Sequence, residues 1–150
     1  MRTLRLSLIT VLVLLSQYCV AEHLYMARVN MSFPEAMLKL QDTIKERGYK
    51  ISRVQRVDIG LTNMGYKTDK YRIVFYGKPD ENQQLLARFP VLQAYFPLKI
   101  AIFAEEKDTL ITAYDPLYLF GDGDPELTKI SQEWKDDIEA IFKVMRETQD

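Results

Sequence analysis

Residues Pro97 to Phe120 read PLKIAIFAEEKDTLITAYDPLYLF. Leu98, Ile100 and Ile102 recur at every second position, the charged Glu105-Glu106-Lys107-Asp108 interrupts the run, and apolar character returns from Leu110 to Tyr114. Alternation, a polar turn and a second β-prone run spell a β-hairpin. Asp115-Pro116 ends the return strand, because proline cannot donate to a ladder and restricts the residue before it. A hairpin is marginal alone in water, so the flanking segments must supply more strands and a helical cover.

Upstream, Tyr71 to Tyr76 (YRIVFY) is apolar on both faces apart from Arg72, which predicts a central strand. Gly77-Lys78-Pro79-Asp80 turns the chain, and Asp80 is expected to cap a helix carrying Leu85, Leu86 and Phe89 that ends or kinks at Pro90. Leu92, Tyr95 and Phe96 continue apolar into the hairpin. Before the central strand, Gly60 to Lys70 (GLTNMGYKTDK) has no apolar period and reads as a mobile loop. Tyr49 to Ile59 is expected to be a strand with Tyr49 and Ile51 on one face and Val54 on the other, as a bulge produces.

The first strand is Leu24 to Val29. Asn30-Met31-Ser32 matches a glycosylation acceptor, relevant only in a eukaryotic secretory pathway, but Ser32 is better explained as a helix start. Ser32-Phe33-Pro34-Glu35 has the form of a capping box. Phe33, Met37, Leu40 and Ile44 follow at helical spacing, and Gly48 suits a left-handed helix end. At the other terminus the apolar run Leu117 to Phe120 stops at Gly121-Asp122-Gly123. Asp124-Pro125-Glu126 then opens a long helix striped by Leu127, Ile130, Trp134, Ile138, Ile141 and Met145, with Trp134 expected against the sheet. The elements sum to an α+β fold: an antiparallel sheet of four to five strands, two long helices packed on one face, and a short helix between strands.

Residues 1–21 read as a signal peptide that is removed. Arg2 and Arg5 form a basic start, Leu6 to Leu15 an apolar run too short to span a bilayer, and Cys19-Val20-Ala21 a cleavage site. Retained, this leader would be the chain's one membrane anchor. Removal leaves residues 22–150 as a single domain, periplasmic or secreted, with 18 basic against 21 acidic residues and a net charge of −3. That balance argues against nucleic acid as a partner. The one cysteine, Cys19, leaves with the leader, so the mature domain has no thiolate nucleophile, disulfide or cysteine-ligated metal.

Candidate sites are few. His23, the one histidine, stands at an end expected to fray, which cannot preorganise a metal site or a triad. Asp122 and Asp124 lie too close together for a calcium loop, which spreads its oxygens over a longer span. No metal site and no cofactor are expected. Asp115 is the only catalytic candidate, as one of a pair of carboxylates, and its simpler reading is an Asp-Pro turn whose carboxylate binds the following amides. Aromatic residues suggest a binding surface instead: Tyr71, Tyr76, Tyr95, Phe96, Tyr114 and Tyr118 gather around the central strand and the hairpin, and suit a dimer interface or an amphipathic ligand.

In order and spacing, several short motifs resemble those of the family called domain of unknown function 302. They are Ser32-Phe33-Pro34-Glu35-Ala36, Gly48-Tyr49, Tyr71-Arg72-Ile73-Val74 with Lys78-Pro79, and Leu85-Leu86. Phe96-Pro97, Tyr114-Asp115-Pro116 and Asp124-Pro125-Glu126-Leu127 complete the set. The resemblance implies a TATA-binding-protein-like fold running strand, helix, four strands, helix, and a homodimer, with no established activity. Many members have cysteines where this chain has Gly77 and Leu98, so no thiol or metal role carries over. The expected function is that of a non-catalytic binding or accessory module. It would act as a homodimer, with an apolar or aromatic small ligand on the sheet face. A hydrolase-like enzyme using Asp115 and a structural partner of an envelope complex are the alternatives.

Overall fold

A computed structural model describes residues 23–147. The leader, with Cys19, lies outside the described residues. The hairpin is the middle of the fold: β4 (Leu98–Glu105) and β5 (Asp108–Tyr114) pair antiparallel, and Glu105 opposite Asp108 leaves a tighter turn than expected, with Glu106 at φ +48°. β3 (Tyr71–Gly77) pairs with β4, and β2 (Lys50–Arg56) closes that side, while β1 (Leu24–Val29) pairs with β5. The five-stranded sheet runs in the order β1-β5-β4-β3-β2, antiparallel throughout. The bulge expected in β2 lies between Ile51 and Arg53.

Two long helices, α1 (Phe33–Glu46) and α5 (Pro125–Glu147), cover one face. Leu40 and Ile44 from α1 and Ile138, Ile141, Phe142 and Met145 from α5 meet Val29, Val74, Ile100, Ile102 and Ile111 from the sheet. Gly48, at φ +80°, ends α1 in the left-handed conformation that glycine adopts without strain. The fold therefore matches the α+β expectation of an antiparallel sheet with two long helices on one face.

Several local expectations give way. Ser32 occupies the N-cap position but its side chain makes no cap hydrogen bond. Pro34 has no amide to offer it, and the turn closes through the Ala36 amide donating to the Ser32 carbonyl at 2.9 Å. The helix expected to be capped by Asp80, α3 (Pro79–Arg88), begins two residues earlier with Lys78 at the cap. Proline takes the first helical position, which moves Asp80 and Glu81 into the first turn, where the helix dipole favours them.

The strand expected to reach Ile59 stops at Arg56. Val57–Asn63 forms a short helix, α2, in place of the first part of the expected loop. Asp58 in its first turn pairs with Arg72 of β3, a long-range tie invisible to local propensity. A second short helix, α4 (Pro116–Phe120), replaces the apolar run after the hairpin.

Trp134 does not lie on the sheet. It belongs to a second cluster with Leu85, Leu92, Phe120 and Leu127, its indole edge-on to Phe96 with centroids 5.1 Å apart. The reason is length: 23 helical residues span about 35 Å, while a seven-residue strand spans about 24 Å. The N-terminal half of α5 overhangs the sheet, where α3, the 3₁₀ turn Pro90–Ala94 and α4 pack around it. Leu98 touches both clusters.

Candidate functional site

Period two assigns each strand residue to a face. On β3, Val74 and Tyr76 point into the helix-covered core, so Tyr71, Ile73 and Phe75 point away. On β4 the outward set is Lys99, Ala101, Phe103 and Glu105; on β5 it is Leu110, Thr112 and Tyr114; on β1, Leu24, Met26 and Arg28. Register aligns them in rows. Met26, Thr112, Ala101 and Ile73 cross the sheet in one, and Leu110, Phe103 and Tyr71 in the next. Tyr71 stacks on Phe103 with centroids 4.2 Å apart. Among the described residues no helix covers this face. Its middle is half-buried by neighbouring side chains alone, and Met26 and Tyr114 are exposed at 56% and 58%.

The six aromatic residues expected to form a binding surface are not together. Tyr71 and Tyr114 lie on the open face. Tyr76 is a correction: it is 1% exposed, on the opposite face, with its ring edge-on to Tyr49 at 5.2 Å. Tyr95 follows the 3₁₀ turn and packs edge-on against Phe120, Phe96 packs on Trp134, and Tyr118 is an exposed residue of α4. Ile73, Phe75, Phe103 and Lys99 replace them on the face. Strict alternation within YRIVFY and LKIAIFAE carried that signal, once the inward set was known.

Asp115 behaves as the simpler reading has it. Its Oδ1 accepts from the amides of Leu117 at 2.8 Å and Tyr118 at 3.3 Å, capping α4. Its Oδ2 meets Lys135 Nζ at 3.2 Å and lies 3.4 Å from the Tyr25 hydroxyl, which donates to Glu139 at 2.7 Å. Burial, the Glu139 hydrogen bond and the nearby Asp115 charge push the Tyr25 phenol well above its ordinary range, so it stays a donor. His23, expected at a fraying end, is held in place here. His23 stacks on Tyr118 with ring centroids 3.3 Å apart, and its carbonyl accepts from the Asp115 amide at 3.0 Å. Among the described residues no cluster of histidine, cysteine or carboxylate side chains has the makings of a metal site.

One cleft of about 400 Å³ opens where β4 begins, at the junction of the two apolar clusters. Tyr95, Leu98, Tyr114, Leu119 and Phe120 line it, with Lys99. Lys99 and Tyr114 also line a depression on the open face beside Tyr71, Ile73 and Phe103, so the two surfaces are continuous.

The family described as domain of unknown function DUF302 matches residues 25–145. This chain belongs to that family. A solved DUF302 structure, an uncharacterized conserved protein from Bacillus stearothermophilus, shares the fold with a TM-score of 0.75 at 22% identity, covering 84% of this chain and 100% of the other. No curated protein matches the sequence. The DUF302 domain here has glycine at position 77, where the Asn82 amide fills the space a side chain would take, and Leu98 at the second position, packed between the clusters. Among the described residues no helix is long and apolar enough to cross a membrane.

Proposed function

We propose that this DUF302 protein is a non-catalytic binding or accessory module, periplasmic or secreted, that acts as a homodimer through the open face of its sheet. The observation that carries the reading is the aromatic and aliphatic surface of Tyr71, Ile73, Phe75 and Phe103, which no element of the described chain covers. An apolar patch of that kind on an exported domain calls for a partner. A second copy satisfies it with the same residues on both sides of a twofold axis, and face-to-face packing is open to an antiparallel sheet with one uncovered face. The leader pattern supports export. The hydrolase reading loses ground because both oxygens of Asp115 are already committed to amides and to Lys135.

Sedimentation of the protein expressed with its own leader tests the proposal. Wild type should sediment at twice the mass of one chain, and Ile73→Glu at the mass of one chain with its melting temperature little changed. Tyr76→Asp is the wrong probe, because it would place a carboxylate in the core. A wild-type monomer at high micromolar concentration would end the homodimer reading and leave a different envelope protein as the occupant of the face.

A further inference from the structure

We infer that the cleft at the start of β4 binds a small amphipathic anion, a monocarboxylate with an apolar or aromatic tail, with Lys99 as its charge partner. The cleft shares Lys99 and Tyr114 with the open face, but its other walls lie off that face and the inference does not rest on the homodimer reading. Its walls come from both apolar clusters: Leu98 and Phe120 inside, Leu119 from α4, and Tyr95 and Tyr114 at the mouth. A volume of about 400 Å³ lies in the range of small-molecule pockets, and the pattern of apolar walls with few polar groups is theirs too.

Charge selects the ligand class. Lys99 is half-buried at the mouth, and no acidic residue lines the cleft. Among the described residues it has no ion pair, so no carboxylate of the chain already neutralises its charge. An ammonium held beside apolar walls prefers a ligand that brings the opposite charge and lets its own stem pack. Tyr95 and Tyr114 add two hydroxyl donors to the lining. Tyr95 is braced edge-on against Phe120 at 5.1 Å, so the mouth is partly preorganised.

Three probes with one tail decide it: octanoate, 1-octanol and octylammonium, titrated into the full protein by calorimetry. The fluorescence of Trp134, the one tryptophan, gives a second readout through Phe120, which packs on it at 6.3 Å. Octanoate should bind at least tenfold more tightly than octylammonium, with octanol between. Lys99→Met should abolish the preference for octanoate while leaving octanol unchanged, and Ala94→Phe, which narrows the cleft, should weaken all three. Phe103→Glu, on the open face but four residues along β4 from Lys99, should leave octanoate binding in place, which separates this site from the dimer face. Equal binding of the three probes to wild type overturns the inference even if Lys99→Met fails to fold. So does a preference that survives Lys99→Met, or octanoate binding lost in Phe103→Glu.

Discussion

Tyr76 shows what a single residue can do when its polar tip has no outlet. Its ring packs well, but the hydroxyl is buried without a hydrogen-bond partner, and burial with the nearby Asp137 charge pushes the phenol far above its ordinary range. The neighbouring Tyr49 differs: its hydroxyl donates to Asp137 Oδ2 at 2.7 Å, and Lys78 Nζ sits 4.9 Å from its ring centre. A buried donor without a partner carries a desolvation penalty that is removed with the atom. Tyr76→Phe should therefore hold or raise stability, by up to about 1 kcal/mol in urea unfolding. A loss of that size would mean the hydroxyl is satisfied after all. In sequence, Tyr49 and Tyr76 are two of nine tyrosines with no mark to tell them apart. The Asp137 carboxylate that bonds one and only lies near the other comes from α5, some ninety and sixty positions away.

At the scale of the element, α5 serves two cores. Its C-terminal half, from Ile138 to Met145, closes the sheet, and its N-terminal half, from Leu127 to Trp134, anchors α3, the 3₁₀ turn and α4. Asp124 starts it, accepting from the Glu126 amide at 2.8 Å and the Leu127 amide at 3.2 Å, as the Asp-Pro-Glu triplet predicts. Trp134→Ala should cost about 3–5 kcal/mol by chemical denaturation, the range for emptying a large aromatic site. Because Leu98 touches both clusters, unfolding should remain a single transition. Two separated transitions would show that the overhang is an independent unit. The stripe on α5 was legible from periodicity. Which half of it meets the sheet was not, since that depends on the helix outrunning the strands.

Across the whole molecule, ion pairs stitch segments that propensity leaves loose. Asp58 and Arg72 join α2 to β3, and the Arg72 guanidinium also lies 5.8 Å from the centre of the Phe33 ring at the start of α1. The hydrogen bond from Arg72 holds the Asp58 carboxyl below its ordinary range. A depressed folded-state value means the stabilisation is present in full above the unfolded carboxylate range, near pH 4, and is lost as pH falls through the folded value. Melting temperature should thus decline with acid below about pH 4–5. Asp58→Asn should lower it at pH 7 by about 5 °C and flatten that acid limb. Parallel curves for the two proteins would assign the acid sensitivity to other groups.

Fold class, the hairpin, both long helices and their ends were determined by the sequence alone, because periodicity, proline and glycine act within a few residues of where they stand. The short helix α2, the overhang at Trp134 and the inward turn of Tyr76 were decided only by tertiary structure. Each rests on a neighbour far along the chain: Arg72 for α2, Phe96 for Trp134, the helix layer for Tyr76. The open face and the cleft beside Lys99 belong to the second kind as well. Alternation divides every strand into two sets, but only the packed helices settle which set is left facing outward.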